Sequence, residues 1–276
     1  MKIMITGSTG FLGGKLNALL SKKNKVEPVS LRDKDFHNKV IQFKPQVFIH
    51  CAWIGGSSYA ETEDLKQFEN IKQGLRILKA LHHLDDVKFI GFGSFSEYGN
   101  IQTKISETQK ENPSSLYGLT KKMFKDISKS FCDMRGFSWV WIRPCYIYGP
   151  GDVQTRLIPK VINNCLKKNK IILNSCNSNV DYLYVDDFVS AVECLVEKEK
   201  VGIFNICSGE KYKIKDVVEL IGKLCHFDNI TYDKSKDRDN FPKTICGDRR
   251  KITSVTGWHP KTNLLNGLKN TIDSQK

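Results

Sequence analysis

The chain has 276 residues, 40% of them hydrophobic, and its 43 Lys and Arg against 30 Asp and Glu give a formal net charge of +13. This composition supports a buried core and excludes a mainly disordered chain. No run approaches the roughly 20 apolar residues that a membrane-spanning helix needs, so we expect no membrane partner. The basic surplus favours anionic ligands without choosing among them.

The cysteines and the start of the chain indicate a cellular compartment. Nine cysteines form no C-x-x-C pair and are odd in number, which disfavours a disulfide framework and a zinc site. The chain opens on a strand-like run that leaves no room for a signal peptide. We therefore expect a cytoplasmic protein without a metal.

Short β-rich runs alternate with amphipathic stretches through the first half of the chain. The apolar runs lie at 3–5, 26–31, 47–49, 87–92 and 139–142. One helical pattern places Leu65, Phe68, Leu75, Leu78 and Leu81 near the 3.6-residue spacing. Strands that alternate with helices predict βαβ units, and hence an α/β fold with a buried parallel sheet.

The second half of the chain is less regular. The Pro150-Gly151 pair breaks the alternation, and helices are predicted beyond it at 157–166, 186–196 and 214–224. We predict two domains, a nucleotide-binding sheet domain at 1–150 and a smaller domain at 151–276. Some segments of the second part are expected to return to the first.

A glycine-rich turn follows the first predicted strand and opens a helix. It reads T-G-S-T-G-F-L-G at 6–13, a G-x-x-G-x-x-G spacing. Glycines allow a pyrophosphate to approach backbone N–H groups at the positive end of a helix. A tight turn alone would also need glycine, but the strand-turn-helix context favours a dinucleotide site. The predicted cofactor contacts in this turn are Gly7, Thr9, Gly10, Phe11, Leu12 and Gly13.

The end of the second strand indicates which dinucleotide is bound. A carboxylate there would bind the ribose hydroxyls of NAD, whereas an arginine would accommodate the 2′-phosphate of NADP. Arg32 favours NADPH, with Lys34 as support. Asp33 favours NAD if the register changes by one residue, and Arg32 could also be a solvated loop charge.

A hydroxyl, a phenol and an ammonium group form the candidate catalytic set. Tyr117 and Lys121 are four residues apart and would share one face of a helix. A nearby ammonium would lower the pKa of a phenol, normally about 10, so that it could exchange a proton with a substrate oxygen. Ser94, at the end of the fourth strand, could hold that oxygen.

With these motifs the sequence resembles the extended short-chain dehydrogenases/reductases, also called the NAD-dependent epimerase/dehydratase family. The resemblance covers nearly the whole chain. Its motifs, in order, are T-G-x-x-G-x-x-G at 6–13, S-x-x-x-Y-G at 94–99, Y-x-x-x-K at 117–121, RPCYIYGPG at 143–151, YVDD at 184–187, FNI at 204–206 and GWHPK at 257–261. It implies a Rossmann-type doubly wound parallel sheet, a smaller C-terminal substrate-binding domain and a homodimer.

The resemblance also implies roles for individual residues. Ser94, Tyr117 and Lys121 take the positions of the catalytic triad, and the last two also contact the cofactor. The backbone at Cys51, Ala52 and Pro144 lines the cofactor. The substrate contacts that we predict are Trp53, Phe95, Ser96, Arg156 and Arg249.

Departures from the family pattern narrow the chemistry. Phe95 and Ser96 stand where family dehydratases carry Asp-Glu, so a dehydratase would lack its acid and base. Val180 stands where many members have an arginine that contacts the substrate diphosphate. Arg249, Arg250 or Arg156 could substitute for it. The short link after Arg32 resembles GDP-fucose synthase and related NADPH-dependent reductases.

These observations predict an NADPH-dependent reduction of a keto group, most plausibly at C4, on a nucleotide-linked 4-keto-6-deoxysugar. The enzymatic alternative is a 4-epimerase that retains NAD. An alternative of another class is a non-catalytic descendant that senses a dinucleotide or binds RNA. Such a descendant has no need of all three triad residues, and the chain has no recognised RNA-binding motif, so we expect no nucleic-acid partner.

Overall fold

The computed structural model describes residues 1–55, 64–101, 103–237 and 242–276. The strands are β1 (Lys2–Thr6), β2 (Lys25–Val29), β3 (Val47–His50), β4 (Lys88–Phe92), β5 (Lys104–Ile105), β6 (Ser138–Pro144), β7 (Tyr146–Tyr148), β8 (Ile171–Leu173), β9 (Asn179–Val180), β10 (Tyr182–Tyr184), β11 (Gly202–Ile206), β12 (Tyr212–Lys213), β13 (Ile230–Tyr232) and β14 (Thr244–Gly247). The α-helices are α1 (Phe11–Leu20), α2 (Phe36–Phe43), α3 (Gln67–Leu81), α4 (Leu116–Arg135), α5 (Leu157–Leu166), α6 (Val185–Glu197), α7 (Ile214–Leu224), α8 (Arg250–Thr256) and α9 (Leu264–Asp273).

A six-stranded parallel sheet forms the centre of the molecule, in the order β11-β6-β4-β3-β1-β2. β1, β3, β4 and β6 are nearly continuous buried runs, as expected where helices cover both faces of a sheet, whereas β2 at the sheet edge is largely exposed. Ile3 and Ile5 belong to the core on the side of α1 and α6, whereas Met4 and Phe48 belong to the core on the side of α2, α3 and α4. Helices on both faces confirm the predicted Rossmann-type doubly wound sheet.

Smaller sheets lie beyond the central one. β7 pairs with β10, β8 pairs with β13, and a four-stranded sheet has the order β12-β9-β14-β5. Each half of the chain contributes a strand to a sheet of the other half. β11, from the second half, pairs with β6 in the large sheet, and β5, from the first half, pairs with β14 in the four-stranded sheet. The division of the chain into two domains at residue 150 stays a prediction.

Most predicted helices and strands form at the predicted residues. The exception is the apolar pattern around α3, part of which faces away from the core. The helices α5 and α7 have the predicted bounds, and α6 is longer than predicted by one residue at each end. In the predicted pattern around α3, Leu78 and Leu81 are buried, but Leu65, Phe68 and Leu75 are exposed. Those three residues lie on a second apolar surface, outside the core. None of the helices in the described ranges is long and apolar enough to span a bilayer.

Candidate active site

The candidate residues meet at the carboxyl edge of the central sheet. The glycine turn follows β1, Cys51–Trp53 follow β3, Ser94 follows β4, and Pro144 ends β6. Parallel strands end at the same edge of a sheet, which is where open α/β sheets bind ligands. Thr6 and His50 tie two of these strand ends together, with 2.9 Å between the Thr6 Oγ1 and His50 Nδ1 atoms, and the Ala52 N–H donates to Thr6 Oγ1 at 3.3 Å.

The turn requires glycine at its positions for different structural reasons. Gly7 has φ +73°, and a Cβ there would lie 2.6 Å from the Ala52 nitrogen. A Cβ on Gly13 would overlap the Gly7 carbonyl, so these two glycines allow the turn itself to close. Gly10 is exposed, and the single neighbour of a Cβ there would be the Gly7 oxygen at 3.3 Å.

The space above Gly10 suits an anionic group. Helix α1 begins at Phe11 with neither a side-chain cap nor an acidic residue in its first turn. Its first N–H groups and its positive dipole end therefore remain available to an anion. The predicted contacts Thr9, Phe11 and Leu12 surround this helix start, and the arrangement fits the pyrophosphate of a dinucleotide.

The two competing charges after β2 have different partners. The Asp33 carboxylate binds the Lys39 ammonium and accepts a hydrogen bond from the Asp35 N–H at 3.0 Å, and these contacts lower the pKa of Asp33. Arg32 is exposed, and within the described ranges no side chain pairs with its guanidinium. Arg76 of α3 donates to the carbonyls of Leu31 at 2.6 Å and Asp33 at 2.5 Å. The sequence did not point to Arg76, which fixes the loop that carries Arg32.

Ser94, Tyr117 and Lys121 come together at the start of α4. Ser115 caps this helix by accepting from the Gly118 N–H at 3.1 Å, which places Tyr117 in its first turn. The Ser94 side chain lies near enough to the Tyr117 phenol to influence its pKa. The Lys121 Nζ donates to the Phe92 carbonyl at 2.7 Å and lies 5.7 Å from the centre of the Tyr117 ring.

The pKa of the Tyr117 phenol is shifted in the direction opposite to the one we expected. Burial raises the pKa of Tyr117, and the Arg156 charge and the nearby Ser94 side chain oppose that shift. Burial also lowers the pKa of Lys121 to about 7. We expected the Lys121 ammonium to lower the pKa of the phenol, but burial has the largest effect on Tyr117 and its net shift is upward. The Tyr117 phenol therefore retains its proton at neutral pH.

Trp53 covers the lysine. Its ring centre lies 3.6 Å from the Lys121 Nζ, a cation–π contact, and its Nε1 donates to Gln67 Oε1 at 3.0 Å. Burial raises the pKa of the neighbouring Cys51 thiol, so this cysteine is not an activated nucleophile. Trp53 thus contacts a triad member directly, a contact that the sequence did not predict.

The two predicted substrate contacts that follow Ser94 in the sequence lie in different surroundings. Phe95 is buried in the core, with its ring centre 5.7 Å from that of Tyr98, so the structure does not support its predicted substrate contact. The Ser96 hydroxyl instead accepts from the Ser94 hydroxyl at 3.2 Å and lies at the site. In the 3₁₀ turn after Ser94, Phe95 and Glu97 are buried, whereas Ser96 is half-buried.

The two candidate arginines also differ. Arg156 is the N-cap residue of α5, pairs with Asp152 at 3.5 Å, and its charge acts on the phenols of both Tyr117 and Tyr146. The Arg249 guanidinium donates to the Ser208 carbonyl beyond β11. Arg156 is therefore the arginine whose charge reaches the triad. Over the ranges that the structure covers, no three His, Cys, Asp or Glu side chains could hold a metal ion.

Sequence reasoning missed a buried ionic group beside the triad. Glu97 and Arg143 are both fully buried and form an ion pair at 2.7 Å. The S-x-x-E pattern at 94–97 is a capping box, in which Glu97 accepts from the Ser94 N–H at 2.8 Å. This pattern could have located Glu97, whereas nothing local indicates that Arg143 is its partner.

Comparisons with known proteins agree with this geometry. The sequence model of the NAD dependent epimerase/dehydratase family matches residues 3–207. GDP-6-deoxy-D-mannose reductase of Pseudomonas aeruginosa is 23% identical over 97% of this chain and 95% of its own length. A putative UDP-glucose 4-epimerase of Methanocaldococcus jannaschii is 24% identical over 99% of this chain and 98% of its own length.

Solved structures show the same fold. The structure of RMD from Pseudomonas aeruginosa complexed with NADPH superposes with a TM-score of 0.90 at 21% identity, covering 99% of this chain and 98% of that one. The UDP-glucose 4-epimerase of Thermus thermophilus in complex with NAD gives a TM-score of 0.89 at 20% identity, with the same coverage of both chains. Since the family model covers most of the chain, this protein belongs to the NAD-dependent epimerase/dehydratase family.

Proposed function

We propose that this protein uses NADPH to reduce the C4 keto group of a nucleotide-linked 4-keto-6-deoxysugar. The observation that carries the proposal is the meeting of Ser94, Tyr117 and Lys121 at the sheet edge that bears the glycine turn, with the Lys121 Nζ 5.7 Å from the centre of the Tyr117 ring. Relatives that span the chain include a protein named GDP-6-deoxy-D-mannose reductase and one named GDP-L-colitose synthase.

The residues of this chain would supply position and a proton. The bound nicotinamide supplies the hydride chemistry. Ser94 donates a hydrogen bond to the carbonyl oxygen and fixes its place next to Tyr117. The Tyr117 phenol, kept protonated by its raised pKa, gives its proton to that oxygen as negative charge develops on it. The Lys121 charge then favours the phenolate that remains.

The surroundings of Ser94 argue against a dehydratase. Such an enzyme needs an acid and a base next to the sugar, and the positions after Ser94 hold a buried phenyl ring and a hydroxyl. Glu97, the acid nearest in sequence, is fully buried and paired with Arg143. We therefore keep the 4-epimerase, which needs no such pair, as the alternative; the putative UDP-glucose 4-epimerase among the relatives supports it.

The charges near the site support NADPH and a phosphorylated substrate. Arg32 is available to a 2′-phosphate, while Asp33 is engaged by Lys39. Arg156, at the N-terminus of α5, would attract the diphosphate of the substrate towards Tyr117. Arg249 is the less favoured of the two arginines because it is held by the Ser208 carbonyl.

A second copy of the chain would complete the assembly. α3 and α4 pack against each other and expose apolar side chains, among them Phe68, Leu75, Leu119 and Met123. Two such helices can pair with the same two helices of another copy around a two-fold axis, because the surface is self-complementary in chemistry. We propose a homodimer through this surface.

A cofactor-oxidation assay tests the function. The protein is incubated with NADPH and a panel of GDP-, UDP- and dTDP-linked 4-keto-6-deoxysugars, and absorbance of the reduced cofactor is followed. We expect oxidation with at least one sugar and a loss of about 10²–10⁴ in rate for Tyr117→Phe, the usual size of a general acid's contribution. Purified protein that carries bound NAD(H) and interconverts C4 epimers without consuming NADPH would instead establish the epimerase.

A further inference from the structure

Glu97 lies at the centre of a buried ionic network behind the triad. Its carboxylate accepts from the Ser94 N–H at 2.8 Å, from Trp141 Nε1 at 3.0 Å and from Arg143 Nε at 2.8 Å. A side chain at Gly93 would overlap both the Glu97 carboxylate and the Trp141 indole, so the glycine leaves room for the contact. These bonds join the loop after β4 to the interior of β6.

The network extends to the helix that carries the triad. Arg143 also binds Glu111, and Glu111 binds Lys125, which lies one turn beyond Lys121 on α4. The Arg143 guanidinium lies 4.3 Å from the centre of the Tyr98 ring. The elements that place Ser94, Tyr117 and Lys121 are therefore linked through charged groups.

Fold stability alone does not account for this arrangement. Glu97 and Arg143 are both 0% exposed, and removing two charges from water costs about as much as their attraction returns. Apolar side chains of similar volume would serve a core equally well. A buried charge next to a proposed proton donor points to a role in its chemistry.

The Glu97 carboxylate lies close to the strand end that binds Lys121. The Lys121 Nζ donates to the Phe92 carbonyl at 2.7 Å, and a Cβ on the next residue, Gly93, would overlap Glu97 Oε1.

Of the charged groups that act on the Lys121 ammonium, Glu97 has the largest effect opposing the loss of its proton. The other groups facing it are His50, which is buried and neutral with a pKa of about 3, and the aromatic rings of Trp53 and Tyr117. Glu97 is thus the carboxylate that compensates the burial of Lys121.

We propose that Glu97 is a positioning residue for the triad: its buried carboxylate holds Ser94 through the backbone N–H and places a negative charge beside the Lys121 ammonium. The catalytic meaning of this inference rests on the proposed function. With a pKa of about 7, roughly half of the Lys121 side chains are charged at neutral pH. A further fall of one unit would leave about one in ten charged, and the phenolate of Tyr117 would lose its stabilising cation.

The test measures the titration of Lys121 in the ligand-free protein. Lysine side chains are labelled with ¹³C, and the Lys121 Cε signal is assigned by its disappearance in Lys121→Arg. We expect Glu97→Gln, which keeps the size and removes the charge, to lower the pKa of Lys121 by at least about one unit, as loss of a nearby opposite charge does. In an active enzyme the pH dependence of kcat should shift in the same direction.

The matched control is Glu111→Gln. It removes a carboxylate from the same guanidinium, and it should leave the Lys121 titration unchanged. An unchanged titration in Glu97→Gln, or an equal shift in both variants, would overturn the inference. Because no substrate is present, a failed reduction assay would not affect this result.

A second variant covers the case in which Glu97→Gln does not fold. The double variant Glu97→Gln with Arg143→Met removes the buried pair together, a change that protein cores often tolerate. NADPH binding confirms that the glycine turn is intact. The Lys121 titration should again move to lower pH, and a value equal to that of the wild-type protein would contradict the proposal.

Discussion

The charges of Arg32 and Asp33 after β2 are placed by local contacts and by one residue distant in sequence. Lys39 and the Asp35 N–H hold the Asp33 carboxylate within the loop. Arg76, 43 to 45 residues further on, fixes the backbone of that loop through the carbonyls of Leu31 and Asp33. The Arg32 side chain is left on the outside, where a 2′-phosphate would find a cation without displacing a partner.

Because Arg32 has no side-chain partner within the described ranges and Asp33 has one, we predict that substitution of Arg32 weakens the binding of NADPH but not that of NADH. Arg32→Ala should weaken NADPH binding by about 1–3 kcal/mol, the scale of a charge-assisted contact, which is about 5- to 150-fold in Kd. NADH binding should change little, because NADH lacks the 2′-phosphate. Both affinities can be measured by titration of cofactor fluorescence.

The control for net charge is Lys22→Ala, an exposed position beyond the opposite end of α1. It should leave both affinities unchanged. Equal losses of NADPH and NADH in Arg32→Ala, or a preference of the wild-type protein for NADH, would contradict the cofactor assignment.

At this scale the sequence predicts residue types better than their partners. Tyr117 and Lys121 share a helix, so their spacing was enough to place them together. The Glu97 pairing could not be predicted in the same way, because Trp141 and Arg143 lie 44 and 46 positions away and only the pairing of β4 with β6 brings them close. Phe95 was misplaced because sequence does not reveal which side chains of a 3₁₀ turn face the core.

Among the elements, the turn between β1 and α1 shows two uses of glycine. Gly13 packs against the Gly7 carbonyl and is needed for the turn to close, whereas Gly10 is exposed and a Cβ there would meet one atom, the Gly7 oxygen at 3.3 Å. Gly10→Val should therefore keep the fold but block the close approach of a pyrophosphate. We expect a melting temperature near that of the wild-type protein and a loss of cofactor binding, measured by thermal unfolding and by fluorescence titration.

Gly13→Ala is the matched comparison. Its Cβ would overlap a backbone carbonyl that cannot move without opening the turn, so this variant should lose stability as well as binding. Normal cofactor binding by Gly10→Val would show that the ligand does not approach the backbone there.

The longer elements follow from periodicity, and the shortest ones do not. Helices α5 and α7 carry a clear 3.6-residue pattern and form with the predicted bounds. The two-residue strands β5, β9 and β12 exist through pairing with segments far along the chain, and two residues carry no period. Such strands are invisible to a reading of local sequence.

At the scale of the whole molecule, the exposed apolar side chains of α3 and α4 form the surface through which we propose that two copies pair. Phe68 and Leu75 are seven residues apart on α3, and Leu119 and Met123 are four apart on α4, so each pair shares a helix face. The sequence pattern marked the α3 residues as apolar but could not tell a core face from an exposed one. A face of this kind on two packed helices is the usual mark of a protein interface.

Charge placed on this surface should separate the copies. Met123 is 38% exposed, and Met123→Glu would bury a carboxylate against an apolar partner, so we expect self-association to weaken by at least about tenfold. Leu265→Glu places the same charge at a position of similar exposure, 40%, on α9, and it should leave the assembly intact. Sedimentation equilibrium over a range of concentrations gives the association constant of each variant. Dimers that persist in Met123→Glu and dissociate in Leu265→Glu would locate the interface elsewhere, and a wild-type protein that stays monomeric at high concentration would remove the homodimer altogether.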